Sequence, residues 1–544
     1  MTPLTLALTH ACRHAWAPDA GALLERLATH FGGTAAIRDD ATQVLIPMGA
    51  SGNEVATRML VALHGGLAES AKAPWWSEFR TLKLRRLKSA DLDGLSTLLS
   101  APGLEGLTHV DLSLTSDGDA VAQVLAGPLL PSLVHVRLEN AGLSDKGLRA
   151  LAKRKEALVE LYLASNGLTP KGLRSWGKAK TQTAVEVLDV RGNKVKAKGA
   201  GDFLQTPGFQ NLRWLNVSDN GNLHEMEGCF GDRLEVLDLS YNLLYDLPGL
   251  FKKPPAALRE LRLSGTWLPE KFISKTLRGA LWEQLESLSI ANTTNLDESP
   301  QLAALFGSAK PRLTHFAGPA GVEDAAFAKA KKGNLRKTLR SMEWMSPQLV
   351  DVQAALQPFT QLQALVLQGA PLGDAAAAAV AALNLPLNSL SLHQTHLTAV
   401  GAEALAAWEG CSGLQSLRVG DNPLGADGVR TLAAAVPSGS LHELHGLQSG
   451  DTGLQALLDG GHLGQEAKLS ENALSDVGLR ALVEHPQARQ VQVLDLCDNP
   501  GITAEGLQGL AESAGLPALA VLSADHDLSA VRSSPQSSAF LRFS

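Results

Sequence analysis

Cysteine and tyrosine are scarce in this chain of 544 residues, with four of the first and three of the second. Cys12, Cys229, Cys411 and Cys497 stand far apart and form no Cys-x-x-Cys pair. That spacing suggests neither a disulfide framework nor a zinc ribbon, and it fits a reducing, cytoplasmic compartment. Long apolar runs are missing too: no stretch approaches the roughly 20 uninterrupted apolar residues that a membrane-spanning helix needs. The short run before Cys12, in "MTPLTLALTHACRHAW", has no Lys or Arg ahead of it, and Thr9-His10-Ala11 is a poor cleavage box, so no export signal is expected. Neither sign of charge dominates. A net charge of −7 describes an ordinary soluble protein with no global pull toward nucleic acid or acidic lipid. No G-x-x-x-x-G-K-[ST], G-x-S-x-G or H-E-x-x-H motif occurs, which argues against a P-loop nucleotide switch, a serine hydrolase and a zincin.

What the chain does contain is one pattern, repeated. It reads "LVELYLASNGLTPKGLRSW" from Leu158, "VEVLDVRGNKVKAKGAGDF" from Val185, "LEVLDLSYNLLYDL" from Leu234, "LQSLRVGDNPLGADGVRTLA" from Leu414 and "VQVLDLCDNPGITAEGLQGLA" from Val491. The shared form is L-x-x-L-x-L-x-x-N-x-L, usually followed by x-x-x-G-L-x-x-L. With the degenerate copies there are about eighteen repeats at a mean period of about 26 residues, and such self-similarity sets the architecture before local propensity does. Alternate strand residues face opposite ways, so in "LYL" or "LDL" the two outer residues enter a core and the middle one points out. The Asn at position nine, as in Asn166, Asn193, Asn220, Asn242, Asn422, Asn472 and Asn499, has an amide that donates and accepts. It suits backbone groups left open where the strand turns away. The second half, as in "SDKGLRALA", opens on a capping residue and puts Leu148 and Leu151 on one helical face.

These motifs resemble the leucine-rich repeats, and the long period with its G-L-x-x-L-A helix is similar to the ribonuclease-inhibitor and Ran GTPase-activating-protein type. The resemblance covers about 85% of the chain. It implies an α/β fold: a right-handed solenoid, or horseshoe, with a parallel sheet on its concave side and helices on its convex side. The expected organisation is a non-repeat α+β N-terminal cap over 1–78, a front block over 79–312, a degenerate junction over 313–345, a rear block over 346–530 and a mobile tail over 531–544. At the junction, positions that elsewhere hold Asn carry Ala320 and Pro347, and Thr266, Thr293, Ala370 and Thr395 flank them. Within the cap the pattern predicts a helix at about 18–31, a hairpin in "TAAIRDDATQVLIPM" turning near Asp39-Asp40, and a helix at about 52–70. Trp75 and Trp76 are expected to pack at the cap junction.

The repeat frame predicts its own surface. Positions three, five, seven and eight should line the sheet face. Position five reads Asp111, Arg137, Tyr162, Asp189, Asn216, Asp238 and Arg262 across consecutive repeats, and position three contributes His109, His135, Glu160, Trp214 and Glu260. Tyr, Trp and Arg dominate binding hot spots because they bring a large apolar area with polar tips. A partner-protein site is therefore expected at His135, Arg137, Glu160, Tyr162, Asp189, Arg191, Trp214, Asn216, Asp238, Tyr241 and Arg262. The rear positions Glu343, His393, Arg418, Glu443 and His445 form a less coherent set.

Four other chemistries are open to the sequence. A basic stretch including Lys153, Arg154, Lys155, Lys178 and Lys196 is expected on the convex side, where it offers an alternative site for an anion or nucleic acid but lacks aromatics to stack bases. The repeat resemblance allows a second alternative, regulation of a small GTPase in the Ran manner. "LDLCDNPG" sets Cys497 beside Asp498, yet in the frame Cys497 takes position seven, where other repeats carry Ser113, Ser218 and Ser240. It reads as a repeat marker, not a nucleophile. "HQTH" and "HELH" each split their two His by strand alternation, and only His393 and His445 could approach each other, across two repeats. The expectation is a non-enzymatic protein-binding scaffold with no cofactor, no metal and no catalytic residue; the Ala-, Gly- and Leu-rich usage suggests a bacterial source.

Overall fold

The computed structural model describes residues 3–525 and 542–543, apart from 15–19, 128–129, 196, 224–229, 245–249, 251–252, 269–271, 294–297, 514, 518 and 520. The chain divides into two compact bodies, the first formed by Met1–Pro269 with Gly279–Leu285 and the second by Glu270–Arg278 with Glu286–Ser544. The tail expected over 531–544 lies outside the described residues except for Arg542–Phe543, which pair in parallel with Val521 and Leu522.

Each body is an α/β solenoid. In the first, Thr81–Lys83, His109–Asp111, His135–Arg137, Glu160–Tyr162, Val187–Asp189, Trp214–Asn216, Val236–Asp238 and Glu260–Arg262 lie side by side in chain order, all parallel. Helices such as Gly118–Leu125, Asp145–Leu151 and Pro170–Gly177 connect them. In the second, parallel strands run from Ser287–Ser289 through His315–Ala317, Ser341–Met345, Ala364–Gln368, Ser389–Ser391 and Ser416–Arg418 to Leu441–His442. A further run follows through Glu466–Lys468, Val493–Asp495 and Val521–Ser523. The core is made as alternation dictates. Leu161, Leu163 and Leu188 are buried, and each such side chain is worth about 1.5–3 kcal/mol of transfer free energy.

Two sets of polar side chains stitch one repeat to the next. On the strand side, Asn220 donates from Nδ2 to Val190 O of the preceding repeat at 3.0 Å and to Val217 O of its own at 3.1 Å, while its Oδ1 accepts from Val195 N at 2.9 Å. Asn166, Asn193, Asn242, Asn422 and Asn499 make the same crossing bonds. Where Thr replaces Asn, the hydroxyl's shorter bond stays in its own repeat: Thr395 Oγ1 donates to Leu392 O at 2.7 Å and reaches Asn422 Oδ1 of the next repeat only at 3.4 Å.

The helix side repeats the device with a carboxylate. Asp119 Oδ1 accepts from Ser144 N at 2.8 Å and Gly147 N at 3.0 Å, and Oδ2 accepts from Ser144 Oγ at 2.6 Å, so an acid in one repeat caps the helix of the next. Asp145, Asp374, Asp451 and Asp476 do likewise. The glycine of "G-L-x-x-L" now has a reason. A Cβ on Gly147 would run into Asp119 Oδ1, and one on Gly506 into Asp476 Oδ1.

The cap is helical throughout its described residues, which corrects the α+β expectation. Thr34–Ala50 is one helix, not a hairpin, although Pro47 lies inside it. Ile37, Ala41, Leu45 and Gly49 recur every fourth residue and are its buried stripe, while Asp39 and Asp40 are exposed on the other side. The expected helix at 52–70 breaks at Gly65 and Gly66, both at positive φ, into Glu54–Leu63 and Leu67–Ser70. Trp75 and Trp76 are buried, with Trp76 Nε1 donating to Ser70 O at 2.8 Å. Buried Glu54 locks the cap to the first strand by accepting from Arg85 N at 2.9 Å and Arg85 Nε at 2.7 Å.

Across 313–345, where the repeat pattern weakens, His315–Ala317 and Ser341–Met345 still pair in parallel. Two 3-10 turns, Asp324–Phe327 and Ala330–Lys332, stand in place of a long helix. Phe306, Phe316, Phe327, Trp344 and Phe359 fill the space between as a cluster of edge-on and stacked rings.

Arg154 overturns its place in the basic patch. Its side chain is buried, with Nη1 donating to Leu125 O and Nη2 to Leu130 O at 2.8 Å. It closes the carbonyl end of the preceding helix, as a cation at a helix C-terminus should. Lys153, Lys155 and Lys178 are exposed, and Lys196 lies outside the described residues.

Two stability measurements check this account. Asn220→Ala strips several buried backbone groups of partners at once, so its urea midpoint is expected to fall by the equivalent of about 2–4 kcal/mol, whereas Thr395→Ala should cost about 1 kcal/mol. Equal losses would remove the crossing bonds as the main stabiliser. Arg154→Ala is expected to cost about 2–4 kcal/mol, and a variant as stable as the parent would contradict its buried role.

Candidate functional site

The strand register puts the position-five side chains in one row. Asp111 faces Arg137, Arg137 faces Tyr162, Tyr162 faces Asp189, Asp189 faces Asn216, Asn216 faces Asp238 and Asp238 faces Arg262. Two neighbouring hollows open on this row. The larger, of about 670 Å³, is lined by Arg137, Tyr162, Asp189, Arg191, Trp214, Asn216, Asp238, Tyr241 and Arg262, all of them read from the sequence. The smaller, of about 410 Å³, takes in His135 and Glu160 together with Arg137 and Tyr162. Sequence reasoning passed over Glu139, Ser218, Asp219 and Ser240 on the first hollow and Lys83 and Arg85 on the second. Their positions, seven and eight in the frame or the first strand, are the signal that could have found them.

The row is not uniformly available. Asp189, Asn216 and Asp238 are buried and already engaged, because each side-chain Oδ1 accepts the N–H two residues on, at 3.0 Å from Arg191, 2.9 Å from Ser218 and 2.9 Å from Ser240. These are Asx-type turns that end the strand. Their first duty is to the backbone.

Charges are paired within the face. Arg137 Nη1 lies 2.9 Å from Glu139 Oε1, and Arg191 lies 3.7 Å from the same carboxylate. Arg262 meets Glu260 at 2.6 Å and Asp238 at 3.8 Å. The Arg137 guanidinium sits 4.2 Å from the Tyr162 ring centre, a cation–π contact. Tyr162 donates to Glu160 Oε2 at 3.0 Å, and burial first, then Glu160, pushes its hydroxyl up to about 12. His135 Nδ1 is 2.9 Å from Glu160, and its ring stacks on His109 at 3.8 Å between centres. Burial and that neighbouring ring hold His109 below its ordinary value. Apolar surface comes from two large side chains at the rim: Trp214 is half-buried and Tyr241 is 61% exposed.

Cys497 is the other position the sequence raised. Its N–H donates to the Oδ1 of Asp495 at 3.2 Å, the same turn as on the front face, and its thiol is pushed up to about 11 by burial and by Asp495. The thiolate that a nucleophile needs is disfavoured there.

A family model described as a leucine-rich repeat matches residues 410–433. That match takes in the strand Ser416–Arg418 and most of the helix Gly425–Ala435, one unit of an array whose fold is a leucine-rich-repeat solenoid. Comparison with curated proteins finds no match. Among solved structures, this chain is similar to an internalin from Listeria monocytogenes, with 15% identity over 64% of this chain and 82% of that one and a TM-score of 0.35. It is also similar to the protein of a TLR13–ssRNA13 complex, with 14% identity over 86% and 74% and a TM-score of 0.44. A third is the leucine-rich-repeat protein LIC12759 of Leptospira interrogans, with 16% identity over 85% and 98% and a TM-score of 0.34. Among the described residues, no helix is long and apolar enough to cross a membrane.

Asp189 gives the face a pH signature. Burial raises its carboxyl above the ordinary 3.8, against the opposing pull of the Arg191 N–H and the nearby guanidinium groups. The folded chain then takes up a proton before the unfolded one as pH falls, so the group favours folding below its unfolded pKa and disfavours it once pH has risen through the folded one. Asp189→Asn keeps an Oδ1 acceptor, as Asn216 does naturally. The variant is expected to be more stable than the parent at neutral pH in urea titrations, with the gain disappearing by about pH 4. No gain at neutral pH would show that Arg137 and Arg191 outweigh burial.

Proposed function

We propose that this protein is a non-enzymatic recognition scaffold that holds a partner protein on the sheet face of its first body. The observation that carries the reading is the 670 Å³ hollow with Trp214 and Tyr241 at its rim, surrounded by arginines whose charges are already matched. Such a surface offers apolar anchors for affinity, and its arginines can exchange an internal carboxylate for one on a partner, which favours specificity over raw attraction. Leucine-rich repeats generally serve as interaction modules, which supports the same choice.

A cytoplasmic setting goes with this reading. Cys12 and Cys411 are free and buried, and Cys497 is free and half-buried, an arrangement suited to a reducing compartment. No observation favours the Ran-type alternative. The anion-binding alternative loses ground because Arg154, the centre of its charge cluster, is buried within the fold.

The test compares affinity capture from the native cell by the parent, by Trp214→Ala with Tyr241→Ala, and by Lys153→Glu with Lys155→Glu. The expected result is a protein recovered by the parent and the lysine variant but reduced at least tenfold, about 1.4 kcal/mol, in the aromatic variant. Recovery unchanged in the aromatic variant, with its melting temperature intact, would reject the sheet-face site; loss in the lysine variant alone would transfer the function to the helix side.

A further inference from the structure

The second body carries a constellation outside the proposed partner site. Position seven reads His393, Gly420 and His445 in three successive repeats, as the turn bonds show: Gln394 N donates to Gly420 O at 2.9 Å and Asp421 N to His445 O at 3.0 Å. Neighbouring parallel strands are about 4.8 Å apart, so residues two repeats apart begin nearly 10 Å from each other. Yet the two imidazole centres lie only 5.6 Å apart. They converge over Gly420. A Cβ there would come within 2.9 Å of His393 Nδ1 and 2.9 Å of His445 Cε1. Gly420 does not have the positive φ that would otherwise explain a glycine, so the space is what its absence of side chain provides.

Between the rings stands the carboxylate of Asp421. His393 Nε2 is 3.3 Å from Oδ2, and His445 Nε2 is 3.6 Å from Oδ1. One ligand atom from each of the three residues falls within 4.8 Å of the others. In a tetrahedral zinc site with bonds of about 2.0–2.1 Å, two donors are about 3.3 Å apart, and each imidazole Nε2 already stands near that distance from one oxygen of the shared Asp421 carboxylate. Glu443 supplies an outer carboxylate: its Oε2 is 3.3 Å from His393 Nδ1, at ion-pair distance though not aligned as a hydrogen bond, where it can fix the tautomer that presents Nε2. Arg418, 3.7 Å from Glu443, balances that acid.

The backbone is specialised at the same place. Position five to position seven spans two residues elsewhere, as from Asp189 to Arg191, but three here, from His442 to His445, because Glu443 is inserted at a φ of 58°. Such a bulge re-aims the side chains that follow it, and bulges concentrate beside functional sites. The strand run of the sheet ends at this repeat, with Gly446 N passing to Ser470 O at 2.9 Å.

We propose that His393, Asp421 and His445 bind a zinc-type divalent cation, with Glu443 behind His393 and a fourth coordination position open to solvent on the sheet face. All three side chains are half-buried, so the site is reachable from outside. Two imidazoles and one carboxylate select zinc, cobalt, nickel or copper over magnesium and calcium, which prefer oxygen alone. This revises the expectation of no metal. Alternation does separate His393 from His396 and His442 from His445, but the pair that matters spans two repeats and needs the glycine between them.

The experiment uses the full chain, free of any affinity tag and stripped with a chelator. Zinc chloride is titrated by calorimetry, and cobalt(II) is followed by its visible absorption. The proposal expects one equivalent of zinc, a tetrahedral cobalt spectrum displaced by zinc, and at least a tenfold weaker affinity in His393→Gln, in His445→Gln and in Gly420→Ala, each with a melting temperature near the parent's without metal. Gln keeps the side-chain bulk, so a folding defect is not built into the test. Three results would each overturn the proposal: no zinc bound, zinc bound equally by parent and variants, or calcium and magnesium bound as tightly as zinc.

Discussion

Every repeat leaves backbone groups open at its two turns, and only an adjacent repeat can satisfy them. Where the strand bends away, Asn220 reaches back to Val190 O; where the helix begins, Asp119 reaches forward to Ser144 and Gly147. Buried polar groups without partners cost about 1–3 kcal/mol each, so these crossing bonds, together with the Leu layers between them, make stacking obligatory. A single repeat has neither a closed core nor a satisfied backbone. The cap does similar work for the first repeat, where Lys83 at position five has no side-chain acceptor and buried Glu54 receives the Arg85 N–H instead.

That constraint also decides which side chains remain for recognition. Position nine is committed to the ladder. Position five is committed wherever it is Asp or Asn, since the strand ends by folding its own N–H onto that side chain. What remains is position three, position seven, position eight and the position-five residues too long to turn back, which is why Arg137, Tyr162, Arg262, Trp214 and Tyr241 are the open surface of the front face and Asp189, Asn216 and Asp238 are its floor.

The repeat frame made much of this legible. Spacing alone placed the core Leu residues, the Asn ladder and the in-register row from Asp111 to Arg262. It failed where an interaction joins residues that are each unremarkable in their own repeat. Arg154 looked like one more surface cation because nothing local marks it as the partner of Leu125 O and Leu130 O in the repeat before. The capping Asp and its facing Gly are about one period apart and were read as separate consensus letters. Thr34–Ala50 was misread for a different reason: its β-branched and apolar residues suggested alternation, while the fourfold spacing of Ile37, Ala41 and Leu45 was the stronger signal. The convergence of His393 and His445 depended on an inserted Glu443, a one-residue change in length that a consensus comparison absorbs as noise.

The pairing of each capping Asp with the glycine of the following helix bears on how such an array can be rebuilt. The two halves of that fit belong to different repeats, so a segment excised from one strand start to the next carries a Gly made for its predecessor's acid and an Asp made for its successor's glycine. Moved elsewhere, it succeeds only between neighbours that offer the complementary halves. Acid and glycine stand 28 residues apart in the Asp119–Gly147 pair, more than one mean period, so no single-repeat segment holds both halves; lengthening the array by duplication preserves the fit only when the copied segment starts and stops at the same phase.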